Sequence, residues 1–474
     1  MQVLKVFIER VLGKNLVILG RGLFRGILGY LSALRFGLPG RKLKLIAVTG
    51  TKGKTSVVVY IGRLLNLLGY KSGYISSALI NTGNFSGDGG QSDLLTLGEV
   101  RNPNKLTTPD PYILEAYLDD MVENGSDFAV VEMSSQGLEQ NRNWGIGKIK
   151  CGVFLNLYPE HLDAHGGIEN YRSSKAKLFK YIKPNGIFVS VLRDNESQFM
   201  WNSTPEAYRG TIKRVVIEES GVVIKDENGR FFLEYERKKY ELPVFARFEA
   251  ENLLTSAIVV YNLLNSELNE MVKLGDILSE LPEIGLIPGR MQWVVRKGKV
   301  MGNNAPAESG IAVSILVDYA HEPESMRKLL QTCRSFKDRG EIDYVIHVVS
   351  SDGGGRDNWK KPILGELSYE YADFSVVTTD NYDKRDNPQE IINRLIERLP
   401  ESTLEQKYTT RVNREDAFEV ALNKTWQLIT ENKSVLVVST GVGAEAGLYQ
   451  PWGIKPWDEA RVWQESFLKH ISRS

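Results

Sequence analysis

The sequence predicts an α/β protein: a central parallel-sheet domain with a phosphate-binding loop, a C-terminal Rossmann-like domain, and a short basic amphipathic helical segment before them. Three observations predict this fold class. A β-rich run, Lys44–Thr49, leads through a glycine loop into an apolar helical pattern over 57–68. Further strand-then-loop units follow at 127–137 and 151–167. After Arg290 the pattern restarts with four apolar strands, each leading into a polar loop, at 314–317, 345–349, 374–377 and 435–438, which indicates a second sheet.

Length and composition narrow the class of protein. A chain of 474 residues predicts two or three domains, and we place them at 1–43, 44–287 and 288–474. Lys plus Arg and Asp plus Glu both total 59, so the chain lacks the basic excess of a nucleic-acid binder. Its two cysteines, Cys151 and Cys333, form neither a disulfide scaffold nor a zinc motif. We therefore expect a protein of the reducing cytoplasm, with buried thiols and no nucleic-acid partner.

The N-terminal segment differs in charge from the rest. Residues 1–44 hold nine basic residues and one acid, which leaves 50 basic and 58 acidic residues in the remainder. On a helical wheel four basic side chains fall within an arc of about 60°: Arg10, Lys14, Arg21 and Arg25. One interpretation is a helix in the plane of an anionic membrane, because charges inside its apolar run argue against a membrane span. The other is a helical hairpin packed on the body and broken at Gly20 and Gly22.

The glycine loop follows the first predicted strand. A strand that feeds such a loop into a helix places backbone N–H groups and the positive helix end at one point, where phosphates bind. Lys54 would neutralise the terminal phosphates, and Thr55 would offer its hydroxyl to Mg²⁺. Val48 stands where the usual motif has its first glycine, so the loop is shorter than usual. We expect all of its residues to bind nucleotide: Gly50, Thr51, Lys52, Gly53, Lys54, Thr55 and Ser56.

Polar side chains also lie at or just past the ends of two later predicted strands. They are Glu132, Asn156, His161 and Asp163. Ligands of a parallel sheet gather beyond the carboxyl ends of its strands, so these groups and the loop hydroxyl converge on one edge. This combination predicts a site for a metal and a nucleotide.

Two neighbouring runs carry a specific resemblance. Asn156-Leu-Tyr-Pro-Glu-His161-Leu-Asp163-Ala-His-Gly166 precedes Tyr171-Arg-Ser-Ser-Lys175-Ala-Lys-Leu-Phe179. Together they resemble the Mur ligase family, and within it most closely the MurE branch of UDP-N-acetylmuramoyl-tripeptide synthetases. Further segments match in family order, at 107–109, 132–135, 288–291, 318–321, 354–357 and 441–445. The resemblance spans about 44–460 and implies a P-loop ATPase domain followed by the Rossmann-like domain.

The resemblance implies an ATP-dependent acid–amino-acid ligase of peptidoglycan biosynthesis. A carboxylate of a UDP-N-acetylmuramoyl-dipeptide-like acceptor takes the γ-phosphoryl group of ATP, and a free amino acid attacks the acyl phosphate. By resemblance, Lys54, His161 and Lys175 are catalytic. Two Mg²⁺ ions would be held by Thr55, Glu132, His161 and a carbamylated Lys175. Carbamylation would turn this lysine from a cation that repels Mg²⁺ into an anionic ligand.

The remaining site residues are also implied by the resemblance. Those that would bind ATP, besides the loop, are Asn156, Asn252, Arg290 and Asp318. Those that would bind the acceptor or the amino acid are Thr107, Thr108, Ser134, Arg142, His321, Arg356, Asp380, Asn381, Asp383, Gly441 and Glu445. Among them, Arg356 would form a bidentate pair with the carboxylate of the amino acid.

Three features depart from the family pattern, and one is that the family's Gly-Lys-Gly-His-Glu reads Gly441-Val-Gly443-Ala-Glu445. The family usually carries a UDP-binding domain where this chain has residues 1–43, so an acceptor carried on a lipid stays open. The family's Asp-Asn-Pro-Arg motif reads Asp380-Asn381-Tyr382-Asp383. The reversed charge predicts an amino acid with a cationic end, such as lysine or ornithine, unless Arg385 replaces the lost arginine.

Two other functions stay open. One is another ligase of the superfamily, of the folylpolyglutamate or cyanophycin type, because folate-type ligases also place the loop near the N-terminus. The other is a membrane-tethered pseudo-ligase that binds nucleotide and serves as a scaffold. We favour a monomeric cytoplasmic enzyme, and a peripheral contact of residues 1–43 with the inner face of the membrane stays an open alternative.

Overall fold

The computed structural model describes residues 14–84, 98–103, 106–267, 271–301, 311–353 and 357–473. Their backbone forms two large sheets with helices, one in each half of the chain, and an N-terminal helix. This architecture confirms the predicted α/β fold class. The predicted domain boundaries at 43/44 and 287/288 stay predictions.

The first half forms an eight-stranded sheet. Its helices and strands are α1 (Lys14–Arg35), β1 (Lys44–Thr49), α2 (Lys54–Leu67), β2 (Ser72–Ile75), β3 (Leu79–Asn81), β4 (Glu99–Arg101), α3 (Pro111–Glu123), β5 (Phe128–Glu132), α4 (Ser135–Glu139), β6 (Ile149–Phe154), α5 (Leu162–His165), α6 (Ile168–Ala176), β7 (Ile182–Ser190), α7 (Asn195–Asn202) and β8 (Lys213–Val216). The strand order is β4-β3-β2-β5-β1-β6-β7-β8, parallel except for the two pairings of β3. In β1, Ile46 and Val48 enter one core, while Leu45 and Ala47 enter another. Both faces are therefore covered, as expected of a parallel sheet.

A small antiparallel sheet and two helices follow. They are β9 (Val223–Glu227), β10 (Arg230–Tyr235), β11 (Lys238–Glu241), α8 (Arg247–Glu267) and α9 (Leu274–Ser279). The sheet β9–β11 was not predicted. Strand β9 is mostly exposed, so it carries little of the apolar pattern from which strands are predicted. Helix α8 packs on α2 and buries Leu253, Ala257 and Val260, which extends the core of the first half.

The second half forms a seven-stranded sheet in the order β13-β12-β14-β18-β15-β16-β17, with a separate hairpin, β19–β20. Its elements are β12 (Gln292–Arg296), β13 (Lys299–Val300), β14 (Val313–Val317), α10 (Pro323–Asp338), β15 (Tyr344–Ser351), α11 (Lys360–Tyr371), β16 (Phe374–Thr379), α12 (Pro388–Ile396), β17 (Tyr408–Thr410), α13 (Arg414–Thr430), β18 (Val435–Ser439), β19 (Gly447–Gln450), β20 (Gly453–Pro456) and α14 (Glu459–Ile471). The four strands expected before polar loops are β14, β15, β16 and β18, and they are mutually parallel.

Arg63 of α2 binds the linker, which is the segment before Arg290 that joins the two halves of the chain. Its buried guanidinium donates to both carboxylate oxygens of Glu99, at 2.7 and 2.8 Å. It also donates to the carbonyl oxygens of Ile284, at 3.1 Å, and Leu286, at 2.9 Å. The linker is therefore anchored on the helix that begins at the glycine loop.

Helix α1 runs without interruption from Lys14 to Arg35, so the hairpin break expected at Gly20 and Gly22 does not occur. Its small residues face the body, where a side chain at Gly26 would overlap the Trp144 ring. Its large apolar side chains face outward. None of the helices in the described part of the chain is long and apolar enough to cross a membrane.

Glu115 of α3 lies beneath α1 and is fully buried. Within the described residues, neither of its carboxyl oxygens has a hydrogen-bond partner. Gly145 leaves the space that this carboxyl fills, because a side chain there would overlap both Glu115 and the Gly29 carbonyl. Burial raises the pKa of Glu115 to about 8. The carboxyl therefore stays protonated at pH values at which an exposed glutamate is ionised.

Candidate active site

The glycine loop joins β1 to α2 and is held in place by Asn156. The Asn156 Oδ1 accepts hydrogen bonds from the N–H groups of Thr51, at 3.1 Å, and Lys52, at 2.8 Å. Gly53 precedes the first residue of α2 with φ 82°, and a side chain there would overlap Asn252. The loop therefore presents the N-terminus of α2 to the cleft, as phosphate binding requires. Asn156 is predicted to bind ATP, and its observed contacts are with the loop.

A hydroxyl and a carboxylate meet beside the loop. The Thr55 Oγ1 lies 3.1 Å from Glu132 Oε2, at the end of β5. Ser77, which was not predicted, lies 2.7 Å from Thr55 Oγ1 and donates its N–H to Glu132 at 2.7 Å. No sequence signal distinguished this serine. The oxygen donors fit Mg²⁺, which binds through one or two protein oxygens and completes its shell with phosphates and water. The described residues contain no group of three or more His, Cys, Asp or Glu side chains placed to hold a metal alone.

Two lysines, the half-buried Lys54 and the buried Lys175, contact the backbone of the loop. Lys54 Nζ donates to the Thr51 carbonyl at 2.9 Å, and Lys175 Nζ donates to the Gly50 carbonyl at 2.6 Å. Lys175 is 1% exposed and also lies over the Tyr171 ring. Burial lowers the pKa of both lysines, and the charge of Lys54 lowers that of Lys175 further. A lowered pKa increases the fraction of free amine, which is the form that carbamylation requires.

Lys52 forms ion pairs with both halves of the chain. Its Nζ lies 3.2 Å from Glu160 and 3.0 Å from Glu322, whose carboxylate also caps the N-terminus of α10. Burial raises the pKa of Glu160, but Lys52 and a hydrogen bond with His321 bring it well below its usual value. Glu160 and Glu322 were not predicted as site residues, although Glu160 directly precedes His161 in the motif quoted for the family.

His161 makes a second connection between the halves. It adopts the left-handed conformation, with φ 55°, and its Nδ1 lies 3.6 Å from Asp357 Oδ2. The Asp357 N–H in turn donates to Asp163 Oδ2 at 3.2 Å. The His161 ring is 41% exposed, so it remains accessible to a ligand in the cleft.

The second half contributes Arg290 and Asp318. The Arg290 guanidinium stacks over the Tyr319 ring and comes within 3.4 Å of Thr55 Oγ1. Asp318 accepts hydrogen bonds from the N–H groups of Met291 and Ala320, both at 2.8 Å. Burial raises the pKa of Asp318, while Arg290 and these hydrogen bonds lower it in part.

One cavity of about 320 Å³ lies between the halves and is lined by both. The predicted residues in its wall are Thr51, Lys52, Gly53, Lys54, Thr55, Ser56, Thr107, Glu132, Asn156, His161, Asn252, Arg290, Asp318 and His321. Polar residues in the wall that were not predicted as site residues include Ser77, Tyr158, Glu160, Glu249, Glu251, Tyr319, Ser325 and Lys328. The structure therefore brings most of the predicted nucleotide-binding and metal-binding groups of both halves to one space. Gly50 and Lys175 are not among the residues of its wall, and they contact each other.

Tyr319 leads from this cavity to a group of acidic side chains in the second half. Its hydroxyl donates to Glu445 at 3.0 Å, and Asn381 donates to the other Glu445 oxygen at 2.9 Å. Asp380 accepts from the Ser350 hydroxyl at 2.9 Å. Gly441, with φ 103°, lies against both Ser350 and Asp380, where a side chain would overlap them. Burial and the neighbouring charge of Asp352 raise the pKa of Asp380 to about 7.

The other predicted residues of the second half lie apart from that group or outside the described residues. Asp383 is half-exposed and pairs with Arg385 through several hydrogen bonds. Its negative charge is therefore already matched within the same loop. The prediction for Arg356 lies outside the described residues.

Thr108, Ser134 and Arg142 form a third group beside the cavity. The Ser134 N–H donates to the Thr108 hydroxyl at 2.8 Å, and Arg142 donates to the Thr108 carbonyl at 2.7 Å. Arg142 is buried and also bonds Gln140, which Arg25 of α1 contacts as well. Arg142 is predicted to bind substrate, and its observed contacts fix the backbone on which Thr107 and Thr108 lie.

Comparisons with known proteins match both halves. The model of the Mur ligase middle domain matches residues 48–260, and that of the Mur ligase glutamate ligase domain matches residues 289–441. A UDP-N-acetylmuramoyl-L-alanyl-D-glutamate–2,6-diaminopimelate ligase of Clostridium perfringens (strain 13 / Type A) is 30% identical over 413 residues. The match covers 84% of this chain and 74% of that protein.

Two solved structures share the fold. One is a UDP-N-acetylmuramoyl-L-alanyl-D-glutamate–2,6-diaminopimelate ligase, with a TM-score of 0.52, 23% identity, and coverage of 90% of this chain and 79% of that one. The other is the folylpolyglutamate synthase of Mycobacterium tuberculosis complexed with ADP and AMPPCP, with a TM-score of 0.64, 17% identity, and coverage of 87% and 92%. The sequence matches confirm the resemblance found in the motifs, and this chain belongs to the Mur ligase family of ATP-dependent ligases.

Proposed function

We propose that this chain joins a free amino acid to a UDP-N-acetylmuramoyl-dipeptide-like precursor of peptidoglycan, at the expense of ATP. The observation that carries the proposal is the cavity in which the glycine loop and the Thr55–Glu132 pair face Arg290 and Asp318. The names of the relatives, which are UDP-N-acetylmuramoyl-L-alanyl-D-glutamate–2,6-diaminopimelate ligases, support the choice of acceptor.

The first step forms an acyl phosphate. The acceptor carboxylate attacks the γ-phosphorus, the bond to the bridging β-phosphate oxygen breaks, and ADP leaves. In our proposal Lys54 and Arg290 place positive charge around the transferred group, and Asn252 and Asp318 hold the nucleoside. The remaining loop residues and Asn156 complete the ATP site. A cavity walled by both halves would shield the acyl phosphate from water.

The second step forms the amide. The amino group attacks the acyl carbon, phosphate leaves with the electrons of the C–O bond, and the nitrogen loses a proton. We propose that Asp380, Asn381, Gly441 and Glu445 surround the amino acid, with Arg356 on its carboxylate. The residues proposed for the acceptor side are Thr107, Thr108, Ser134, Arg142 and His321.

Two Mg²⁺ ions belong to the proposal. Thr55 and Glu132 offer the hydroxyl and carboxylate oxygens of one site. His161 and a carbamylated Lys175 would hold the second, and the lowered pKa of Lys175 supports carbamylation. The metal ions supply charge neutralisation of the phosphates.

The added amino acid is proposed to end in a cation, as lysine, ornithine and one end of 2,6-diaminopimelate do. The buried carboxyl group of Asp380 and the half-buried one of Glu445 support a cationic end. Diaminopimelate also has a distal carboxylate. Because Asp383 pairs with Arg385, the negative charge that would repel this carboxylate is already matched.

The remaining proposals concern the roles of the domains, the oligomeric state and the location in the cell. We propose a cytoplasmic monomer in which 44–287 binds ATP, 288–474 binds the amino acid, and 1–43 makes a peripheral membrane contact. The use of ATP and the two free buried thiols, Cys151 and Cys333, support a cytoplasmic location.

The test is phosphate release by the full chain with ATP, Mg²⁺ and UDP-MurNAc-L-Ala-D-Glu. Lysine, ornithine and diaminopimelate are added one at a time, and the product is identified by mass. We expect release that requires both acceptor and amino acid. A parallel reaction with a folate acceptor and glutamate serves as the control. Turnover in that control alone would assign a folate-type ligase, and ATP binding without turnover in any reaction would assign a pseudo-ligase scaffold.

A further inference from the structure

The outer face of α1 is apolar although it is open to solvent. Large side chains that are 48% to 68% exposed follow one another along this face: Leu23, Phe24, Ile27, Tyr30, Leu31 and Leu34. On a helical wheel they span an arc of about 120°, which is the width of a face normally turned toward a core. A contiguous exposed patch of this kind marks a surface that meets an apolar partner.

Packing against the body does not use this face. The inner face consists of buried small residues, Gly22, Gly26 and Gly29, followed by Ser32 and Ala33. A side chain at Gly22 would come within 3.3 Å of the Glu139 carbonyl, so the two backbones approach closely there. Close backbone approach holds the helix on the body, and its large side chains remain available for another contact.

The charges beside the face are basic. Arg21 and Arg35 are exposed and fall along one edge of the apolar arc, and the exposed Arg41 and Lys42 follow the helix. No acidic residue occurs between residues 14 and 44. An apolar face bordered by arginines is complementary to the acyl boundary and the negative headgroups of an anionic bilayer. Because no described helix can span a membrane, the contact would lie in the plane of its surface.

The same helix touches the loop that positions the acceptor side of the cavity. Arg25 contacts Gln140, which Arg142 also bonds, and Arg142 holds the Thr108 carbonyl at 2.7 Å. Thr107, the next residue toward the N-terminus, lines the cavity. A bilayer that binds the outer face of α1 would therefore lie close to the acceptor side of the cavity.

We propose that α1 lays the face formed by Leu23, Phe24, Ile27, Tyr30, Leu31 and Leu34 on an anionic lipid bilayer while its glycine face stays docked on the body. The inference rests on the peripheral contact proposed above and deepens it by naming the face, the lipid charge and the side of the cavity that meets the surface. It does not depend on which acceptor or amino acid the chain uses.

The experiment is sedimentation of the full chain with vesicles. One set is phosphatidylcholine alone, and the other is phosphatidylcholine mixed with phosphatidylglycerol. We expect binding to the anionic set, weakened by salt, and weakened by at least about tenfold in a Phe24→Glu/Leu31→Glu variant. An Arg21→Ser/Arg35→Ser variant should lose binding to the anionic set in part. The matched control is Trp452→Glu/Ile454→Glu, which replaces exposed apolar residues at 452–454, around the β19–β20 hairpin, and should bind as the parent does.

Absence of binding by the parent chain, or an equal loss in the control, would overturn the proposal. So would a dimer without lipid that Phe24→Glu/Leu31→Glu dissociates, since the occupant would then be a second copy. Phosphate release in the absence of vesicles is measured on the same variants. Because the substituted side chains face solvent, ligase activity should persist in these variants. If the parent chain showed no ligase activity, the proposed function would fail, but its binding to vesicles would still test the membrane proposal.

Discussion

Two regions of the site differ in how their charges are matched: the nucleotide end in the cavity, and the amino-acid end at the acidic group beyond Tyr319. At the nucleotide end, Lys52 pairs with Glu160 and Glu322 from opposite halves of the chain. At the amino-acid end, acidic groups stand together, and Asp380 is buried near Asp352 with its pKa raised to about 7. At the nucleotide end, charged side chains of the protein therefore pair with one another. At the amino-acid end Asp352 pairs with Lys360 at 3.9 Å, and a cationic ligand would neutralise the carboxyl groups of Asp380 and Glu445.

This difference follows from the ligands proposed for each end. A triphosphate with Mg²⁺ always presents the same charges, so the residues around it are tightly constrained. The side chain of an amino acid varies among substrates, and so can the residues that select it. We therefore expect substitutions at the nucleotide end to lower the rate for every amino acid, and substitutions at the other end to change preference.

The largest effect is expected for Lys54→Ala. Loss of a cation placed on the phosphates should lower kcat by about 10³-fold with every amino acid, because charge stabilisation dominates phosphoryl transfer. The measurement is phosphate release under saturating substrates. Lys71→Ala, which changes an exposed lysine near the end of the same helix, is the control. A Lys54→Ala enzyme within a few-fold of the parent would contradict the assignment of the nucleotide end.

Lys175→Ala should lower kcat by about 10²-fold, because it removes a proposed anionic metal ligand. Short carboxylates such as acetate should restore part of the rate by replacing the carbamate. Lys177→Ala, two residues along the chain, provides the comparison and should remain close to the parent. If carboxylates restore nothing, Lys175 acts through its amine, for instance by holding the Gly50 carbonyl.

Glu115 lies outside both ends of the site and tests how burial alone changes the pKa of a carboxyl group. Folding raises the pKa of Glu115 from 4.5 to about 8, so the folded state keeps a proton that the unfolded chain has lost. The free energy of unfolding contributed by this group must fall as pH rises through that range. Relative to the parent, Glu115→Gln should therefore gain about 3 kcal/mol of stability between about pH 5 and pH 8. Denaturant titrations at both pH values measure the gain, and Glu123→Gln on the same helix should show none.

The smallest effect is expected for Asp380→Asn. Asp380 becomes ionised as pH rises through about 7, so the KM for a cation-ended amino acid should fall by about tenfold between about pH 6 and pH 8. In Asp380→Asn this dependence should disappear. Asp383→Asn is the matched control, because Arg385 lowers the pKa of Asp383 to about 2 and its charge is constant over this range. A pH dependence that persists in Asp380→Asn would assign it to another group.

The sequence predicted the parts of the molecule that depend on local patterns. The apolar runs that became β1, β5, β6, β14, β15, β16 and β18 were all recognised, because buried parallel strands read as continuous apolar segments. Contacts between distant segments left no such signal. Ser77 and Glu322 reach the cleft through strand order and domain packing, and neither lies in a motif that predicts it.

The sequence pattern also did not predict which face of α1 packs on the body. A helical wheel identifies an apolar arc, and the usual inference is that this arc faces the body. Here glycines at 22, 26 and 29 take that place, because they allow close approach to residues 139–145. Hydrophobicity alone does not report such contacts.

The anchoring of the linker by Arg63 has a mechanical consequence. Lys54 and Arg63 lie on one helix, about 14 Å apart along its axis. The distance from the phosphate-binding end of this helix to the anchored linker, which would act as the pivot, is therefore constant. Arg290 follows the anchored Leu286 closely in the chain and therefore sits near the pivot. The loop that bears Glu445 also lies near the pivot, because Gly443 and Ala444 pack against Gly289. Any rotation of the second half about this segment would therefore move Arg290 and the Glu445 loop little relative to α2.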